Sequence, residues 1–236
     1  MDVRVLEDPA APCAELLAEA AAAGSNIVLT GGSTPKRAYE IAAGIEADWS
    51  RARVWWSDER CVPADDELSN YRLVREALLD RLPPAGEGGP EVHRMPAERG
   101  PHAGADDYEE DLRATLGEER PRLDFVLLGL GPDAHVASLY PGQPTLDVHD
   151  RLAIGVEEAG WKPYVPRVSL TLPVLNAARR VVFLVAGDDK AEAVERAFGP
   201  GAVPSHDAPG TLVRPTDGDL LLLLDEAAAS RLPAAA

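Results

Sequence analysis

The sequence predicts an α/β fold: an open, mostly parallel sheet with helices on both faces, doubly wound and Rossmann-like. Two observations carry this expectation. Short apolar runs alternate with segments of helical length along the whole chain. Three of those runs also end abruptly in small, polar, charged turns. Asn26-Ile27-Val28-Leu29 runs into Thr30-Gly31-Gly32-Ser33-Thr34-Pro35, and Arg53-Val54-Trp55-Trp56 into Ser57-Asp58-Glu59-Arg60. Asp124-Phe125-Val126-Leu127-Leu128 runs into Gly129-Leu130-Gly131-Pro132-Asp133-Ala134-His135. Ligands of open parallel sheets bind at the carboxyl ends of the strands. The three turns are therefore expected to build one pocket.

In chain order, Val3 to Leu6 reads as a strand and Ala10 to Ala23 as a helix stopped by Gly24. After the Ile27 strand, Pro35 should open a helix from Lys36 to Ala47. The Val54 strand and a polar loop follow. Leu68, Tyr71, Val74, Leu78 and Leu82 then recur at helical spacing, predicting a helix from Leu68 to Arg81. The Pro- and Gly-rich stretch 82–90 is a loop, Glu91 to Met95 a short strand and Ala103 to Leu116 a helix. The Phe125 strand should lead into a helix at His135, stopped by Pro141-Gly142. Residues 142–168 read as irregular, with Leu152 to Val156 as one strand. Leu170 to Ala178 reads as partly helical, Val181 to Ala186 as a buried strand and Asp189 to Phe198 as a helix. Leu220 to Leu224 is a last strand, before an alanine-rich helical tail that frays. No composition break divides the chain, so one domain over residues 1–236 is expected.

The formal net charge is −17, which argues against nucleic-acid and anionic-membrane partners, both of which need a basic surface. A small anionic ligand held by a local cluster of cations remains compatible. Cys13 and Cys61 are too few and too far apart for a disulfide framework. The start, Met1-Asp2-Val3-Arg4, lacks the basic and apolar regions of a signal peptide, and a cytoplasmic location is expected. Lysine occurs only at Lys36, Lys162 and Lys190, so each one merits scrutiny.

Gly31-Gly32 permits a sharp turn and close approach to a ligand. Ser33 or Thr34 suits a helix cap, and the helix start offers free N–H groups to a phosphate. The plain alternative is a capped turn without a ligand. His135 follows Asp133 at a glycine-flanked strand end, an arrangement suited to a general base with an orienting carboxylate. Its alternative is Asp133 as a helix cap with His135 packed beside it. A metal is not expected, since no second histidine lies at i+3 or i+4. Asp58 is a second acid–base carboxylate candidate and Arg60 an anion ligand, against a salt-bridged loop. Lys190 sits at a helix start, where a cation is unfavourable unless an anion binds. Arg167 would supply a planar, multidentate grip on phosphate, against a plain surface arginine.

Taken together and in order, these motifs resemble the 6-phosphogluconolactonases, within the superfamily that includes glucosamine-6-phosphate deaminase and isomerase. The resemblance rests on residues 30–35, Asp58-Glu59-Arg60-Cys61-Val62-Pro63 with Ser69-Asn70-Tyr71, residues 129–141, Arg167-Val168-Ser169-Leu170-Thr171 and Gly187-Asp188-Asp189-Lys190. It implies a sugar-phosphate lactonase domain that hydrolyses 6-phospho-D-glucono-1,5-lactone, with no metal or cofactor, as a monomer or at most a weak homodimer. By that resemblance His135 would activate water, with Asp133 and Asp58 lining the reacting end. Arg60 would hold the sugar or polarise the carbonyl. Gly32, Ser33, Thr34, Arg167 and Lys190 would hold the phosphate. The rival is an aldose–ketose isomerase or deaminase, whose relatives carry a ring-opening carboxylate soon after the histidine. Residues 136–141 contain none. A non-catalytic sugar-phosphate sensor is the other alternative. One departure from the family pattern is Ala134 in place of glycine. A positive φ there would cost roughly 1 kcal/mol or more and could shift His135, whereas a right-handed helix start, the expected case, accommodates alanine.

Overall fold

The inner strands of the main sheet are short, largely apolar runs of Val, Ile, Leu, Phe and Trp, because both faces are covered. The two edge strands, Asp-Val-Arg-Val and Glu-Val, are exposed. In the computed structural model, which describes residues 1–117 and 121–233, the elements follow this order. They are β1 Asp2–Val5, α1 Ala10–Ala22, β2 Asn26–Leu29, α2 Ser33–Ala42, β3 Arg53–Trp56, β4 Asp58–Arg60, α3 Asn70–Ala77 and β5 Glu91–Val92. There follow α4 Pro101–Leu116, β6 Phe125–Leu128, β7 Ala153–Val156, β8 Arg167–Leu170, α5 Leu172–Ala177, β9 Arg180–Val185, α6 Ala191–Phe198 and β10 Asp219–Leu224.

Seven strands form one sheet in the order β1-β10-β9-β6-β2-β3-β5, every pair parallel, with helices flanking it. From β2 the chain moves outward through α2 to β3 and on to β5. It then returns through α4 to β6, on the other side of β2, and builds toward β9 and β10. The direction of winding reverses between β2 and β6, so a crevice opens beyond their carboxyl ends.

Two buried tyrosines fix the strand ends that frame this crevice. The Tyr39 hydroxyl donates to the Thr30 carbonyl at 2.7 Å and accepts the Thr30 N–H at 3.0 Å. The Tyr108 hydroxyl accepts the Trp56 N–H at 2.8 Å and donates to its carbonyl at 3.1 Å. Each closes a backbone pair just where a loop leaves its strand, a place where an orphaned buried amide would be costly. Trp49, Trp55 and Trp56 are fully buried behind them.

The sequence reading departs from the structure in several places. A second sheet, β4-β8-β7, is antiparallel and lies within or beside stretches read as irregular or as turn. Its β4 is Asp-Glu-Arg, and Asp and Glu are residue types with poor strand propensity. Residues 131–140 are turns and isolated bridges, not a helix. The α2 helix starts at Ser33 rather than Lys36 and stops at Ala42, and no side chain caps it. The strand expected to reach Met95 ends at Val92, and α3 gives way to a 3-10 turn, Leu79–Arg81. The expected helical tail is a series of turns from Glu226, and residues 234–236 lie outside the described residues. No helix among the described residues is long and apolar enough to cross a membrane.

Candidate active site

The crevice is lined by Thr30, Gly31 and Gly32 from the β2 loop and Gly129, Leu130, Gly131 and His135 from the β6 loop. Asp58, Arg60, Asn70, Arg167 and Lys190 complete its wall from other elements. The three turns singled out by the sequence thus meet in one place, together with both cations proposed from beyond them.

Gly31 and Gly32 are required by geometry. A Cβ at Gly31 would lie 1.9 Å from Asn70 Oδ1, and Gly32 has φ +113°. The first intrahelical bond of α2 runs from Lys36 N–H to the Gly32 carbonyl at 3.1 Å, so the amides of Ser33 and Thr34 have no acceptor within the helix. The side chains of Ser33 and Thr34 do not line the crevice, and Ser33 is exposed. What this loop offers an anion is backbone N–H and helix dipole.

The His135 loop is built from its own short contacts. His135 Nδ1 lies 2.6 Å from Asp133 Oδ1, which also accepts the His135 backbone N–H at 3.1 Å. Burial pushes the Asp133 carboxyl up, but the hydrogen bond and charge of His135 outweigh it and hold the group below its usual range. An ionised Asp133 requires Nδ1 to carry the proton, which leaves Nε2 of a neutral ring as an acceptor. Gly131 accommodates the ring: a Cβ there would sit 2.0 Å from His135 Nδ1. Tyr140 covers another side, its ring centroid 4.8 Å from the imidazole.

Ala134 lies at φ +68° and Ala137 at φ +49°, both left-handed. Ala134 therefore does not begin a right-handed helix. It holds a conformation that costs a side-chain-bearing residue about 1–2 kcal/mol. The loop is nonetheless held in place. Gly131 N–H bonds the His135 carbonyl at 2.9 Å, and Ser138 N–H reaches Ser169 Oγ at 3.2 Å.

Asp58 lies at the centre of a buried polar network. Its Oδ2 accepts from Ser138 Oγ at 2.7 Å, and its Oδ1 from Ser57 Oγ at 3.2 Å and Asn70 Nδ2 at 3.3 Å. Arg167 Nη1 stands 3.9 Å from Oδ2. With both oxygens engaged, Asp58 is better placed to organise its neighbours than to exchange protons. Glu59 plays a related part beneath it. Its carboxylate accepts the N–H groups of Arg60, Asn70 and Tyr71 at 2.7–2.8 Å and the Ser69 hydroxyl at 3.1 Å, fixing the start of α3. Burial pushes the Glu59 carboxyl up, against those three N–H bonds.

Arg60 Nη1 donates to the Leu68 carbonyl at 2.5 Å. Arg167 is 3% exposed, and its Nε and Nη2 are committed to backbone carbonyls at residues 161–165. Lys190 pairs with Asp189 at 3.3 Å. Sequence reasoning assigned no role to Asn70, Ser138, Tyr140, Trp161 or Lys162. Asn70 and Ser138 are small polar residues whose part depends on contacts across 12 and 80 positions of sequence. Lys162 carried one signal, the scarcity of lysine. Among the described residues, no group of three His, Cys, Asp or Glu side chains is arranged to hold a metal ion.

Residues 4–222 match the family described as glucosamine-6-phosphate isomerases/6-phosphogluconolactonase. The chain belongs to this family. A 6-phosphogluconolactonase of Synechocystis is 41% identical over 212 residues, covering 87% of this chain and 84% of the relative. One from Streptomyces coelicolor is 39% identical, covering 93% and 92%. Among solved structures, 6-phosphogluconolactonase from Trypanosoma cruzi superposes with a TM-score of 0.82 at 27% identity, covering 98% of this chain and 96% of that one. Family membership agrees with the site's construction at the winding reversal of a parallel sheet.

Proposed function

We propose that the protein hydrolyses 6-phospho-D-glucono-1,5-lactone to 6-phosphogluconate, as a step of the oxidative pentose phosphate pathway. The observation that carries this reading is the Asp133–His135 couple, with its free Nε2, in a cleft that also holds Arg60, Arg167 and Lys190. The similarity to lactonases of Synechocystis and Streptomyces coelicolor over most of the chain supports it. Two unpaired cysteines suit a reducing cytoplasm.

In this mechanism Nε2 of His135 takes a proton from water as the water oxygen attacks the lactone C1. The carbonyl π electrons move to oxygen, giving a tetrahedral intermediate. Its collapse breaks the bond from C1 to the ring oxygen, and the imidazolium returns the proton to that oxygen. The products are a carboxyl group and a free hydroxyl. Asp133 keeps the ring in the required tautomer and stabilises its charged form. A positioned base of this kind contributes about 10²–10⁴-fold. The amides at the start of α2 and the Lys190 ammonium would hold the phosphate, turning remote binding energy into orientation of the lactone. Asp58 organises Asn70, Ser138 and Arg167 around the bound sugar.

Isomerisation on the same scaffold has less support, because among the described residues Asp58 is the one carboxylate lining the crevice and its oxygens are engaged. The test is ring opening of freshly generated 6-phosphogluconolactone, with spontaneous hydrolysis subtracted. Acceleration well above the spontaneous rate is expected. An unchanged rate overturns the reading.

A further inference from the structure

Residues 161–165 form a strap along the mouth of the crevice, and a buried arginine fastens it. Arg167 Nη2 donates to the Pro163 carbonyl at 2.7 Å and the Trp161 carbonyl at 3.5 Å, and Nε donates to the Val165 carbonyl at 3.1 Å. The strap also rests on the histidine loop. A Cβ at Gly160 would meet the Tyr140 ring at 2.8 Å, and that ring packs beside His135. Trp161 and Lys162 both line the crevice, and both are exposed.

The lysines of this chain make the pattern informative. There are only three, and two of them line this crevice. Lys36 is paired with Glu40 at 3.9 Å on its own helix, and Lys190 with Asp189. Lys162 has no ion-pair or hydrogen-bond partner among the described residues, although the chain carries a net charge of −17. A cation kept free in such a field, on a fastened strap, suits an anion that arrives from solution. Arg167 is less suited to that duty, because its Nε and Nη2 are committed to carbonyls and only Nη1 is left to face the crevice.

We propose that Lys162 is a phosphate-contacting, specificity-determining residue, and that Arg167 acts through it as a positioning residue that fixes the strap. The inference rests on the lactonase reading for its substrate, a phosphorylated sugar lactone. An ammonium at the mouth contacts the distal phosphate as a point charge. It therefore favours phosphorylated over unphosphorylated lactone through binding rather than through chemistry.

The test compares the full-length wild type with Lys162→Met, Lys162→Arg, Arg167→Lys and the Lys162→Met/Arg167→Lys double variant. Turnover is followed on 6-phosphogluconolactone and on unphosphorylated gluconolactone, and binding of 6-phosphogluconate by calorimetry. Lys162→Met should raise KM for the phosphorylated lactone and Kd for 6-phosphogluconate by about tenfold, roughly 1.4 kcal/mol. The kcat should change little, and turnover of the unphosphorylated lactone should not change. Lys162→Arg should recover most of the affinity. Arg167→Lys should match Lys162→Met, and the double variant should lose no more than either. Unchanged KM and Kd in Lys162→Met overturn the assignment, and additive losses in the double variant overturn the positioning role of Arg167. Calorimetry decides Lys162 independently of turnover, so a chain that binds without hydrolysing defeats the lactonase reading alone. If Arg167→Lys fails to fold, the Lys162 variants still decide the specificity claim.

Discussion

The β2 loop and the β6 loop face each other across the same crevice, yet they reach their shapes in opposite ways. The β2 loop takes its left-handed turn at Gly32, where the absence of a Cβ makes φ +113° unstrained. The β6 loop takes two left-handed turns at alanines, Ala134 and Ala137, either side of His135 and Val136. The first loop presents backbone N–H groups and needs only room. The second must aim one imidazole, and it is held under strain by neighbours that over-determine it. Those neighbours are Asp133, Gly131, Tyr140 and the Ser138 bridge to the small antiparallel sheet. Strain in the backbone is therefore found on the His135 side of the cleft rather than on the Gly31-Gly32 side.

Breaking the chemical end should cost most. Asp133→Asn should lower kcat by about 10²–10⁴-fold, since an amide no longer enforces the tautomer or supports the imidazolium. The carboxyl of Asp133 is held below its usual range in the folded protein. Its contribution to stability is thus full at neutral pH and is lost only as pH falls through that lowered value. A thermal-melt series against pH should show wild type and variant converging in acid.

Breaking the anion end gives a different signature. Gly31→Ala places a methyl 1.9 Å from Asn70 Oδ1, and Asn70 must move with the Asp58 network it joins. A loss of about 1–3 kcal/mol is expected, read by denaturant unfolding, with a rise in KM. Ser138→Ala tests the bridge between the two sheets. It removes the 2.7 Å bond to a buried Asp58 and should cost about 1–3 kcal/mol, together with a fall in kcat as the histidine loop loosens.

The smallest effect has the opposite sign. Ala134→Gly relieves about 1–2 kcal/mol of strain but adds about 0.4–1 kcal/mol of unfolded-chain entropy. A net gain of about 0–1.6 kcal/mol follows, raising Tm by up to about 3–6 °C. A lowered Tm would mean that the strain at this position is already relieved in some other way.

What the sequence made legible follows the same division. Parallel strands that are apolar throughout announce themselves, and so do glycine pairs at their ends, because each is a local signal. Of the small sheet only β7 was legible, as the strand expected from Leu152 to Val156. Asp58, Glu59 and Arg60 become a strand only because Val168 and its neighbours supply an antiparallel partner across more than 100 positions. The β6 loop was misread as a helix because Ala134, Val136 and Ala137 suit helical backbone locally. Tertiary contacts impose the left-handed turns instead. Asp133 and His135 were legible as a pair because they are two residues apart. Ser138 and Lys162 were not, since their meaning depends on what folding places beside them.

The most direct test of the central claim is turnover of 6-phosphogluconolactone by His135→Ala, with the affinity for 6-phosphogluconate measured on the same preparation. If His135 is the general base at a site whose phosphate end is built separately, kcat should fall by about 10²-fold or more while Kd changes little. A variant that retains near wild-type kcat, with its spontaneous background subtracted, would contradict the account.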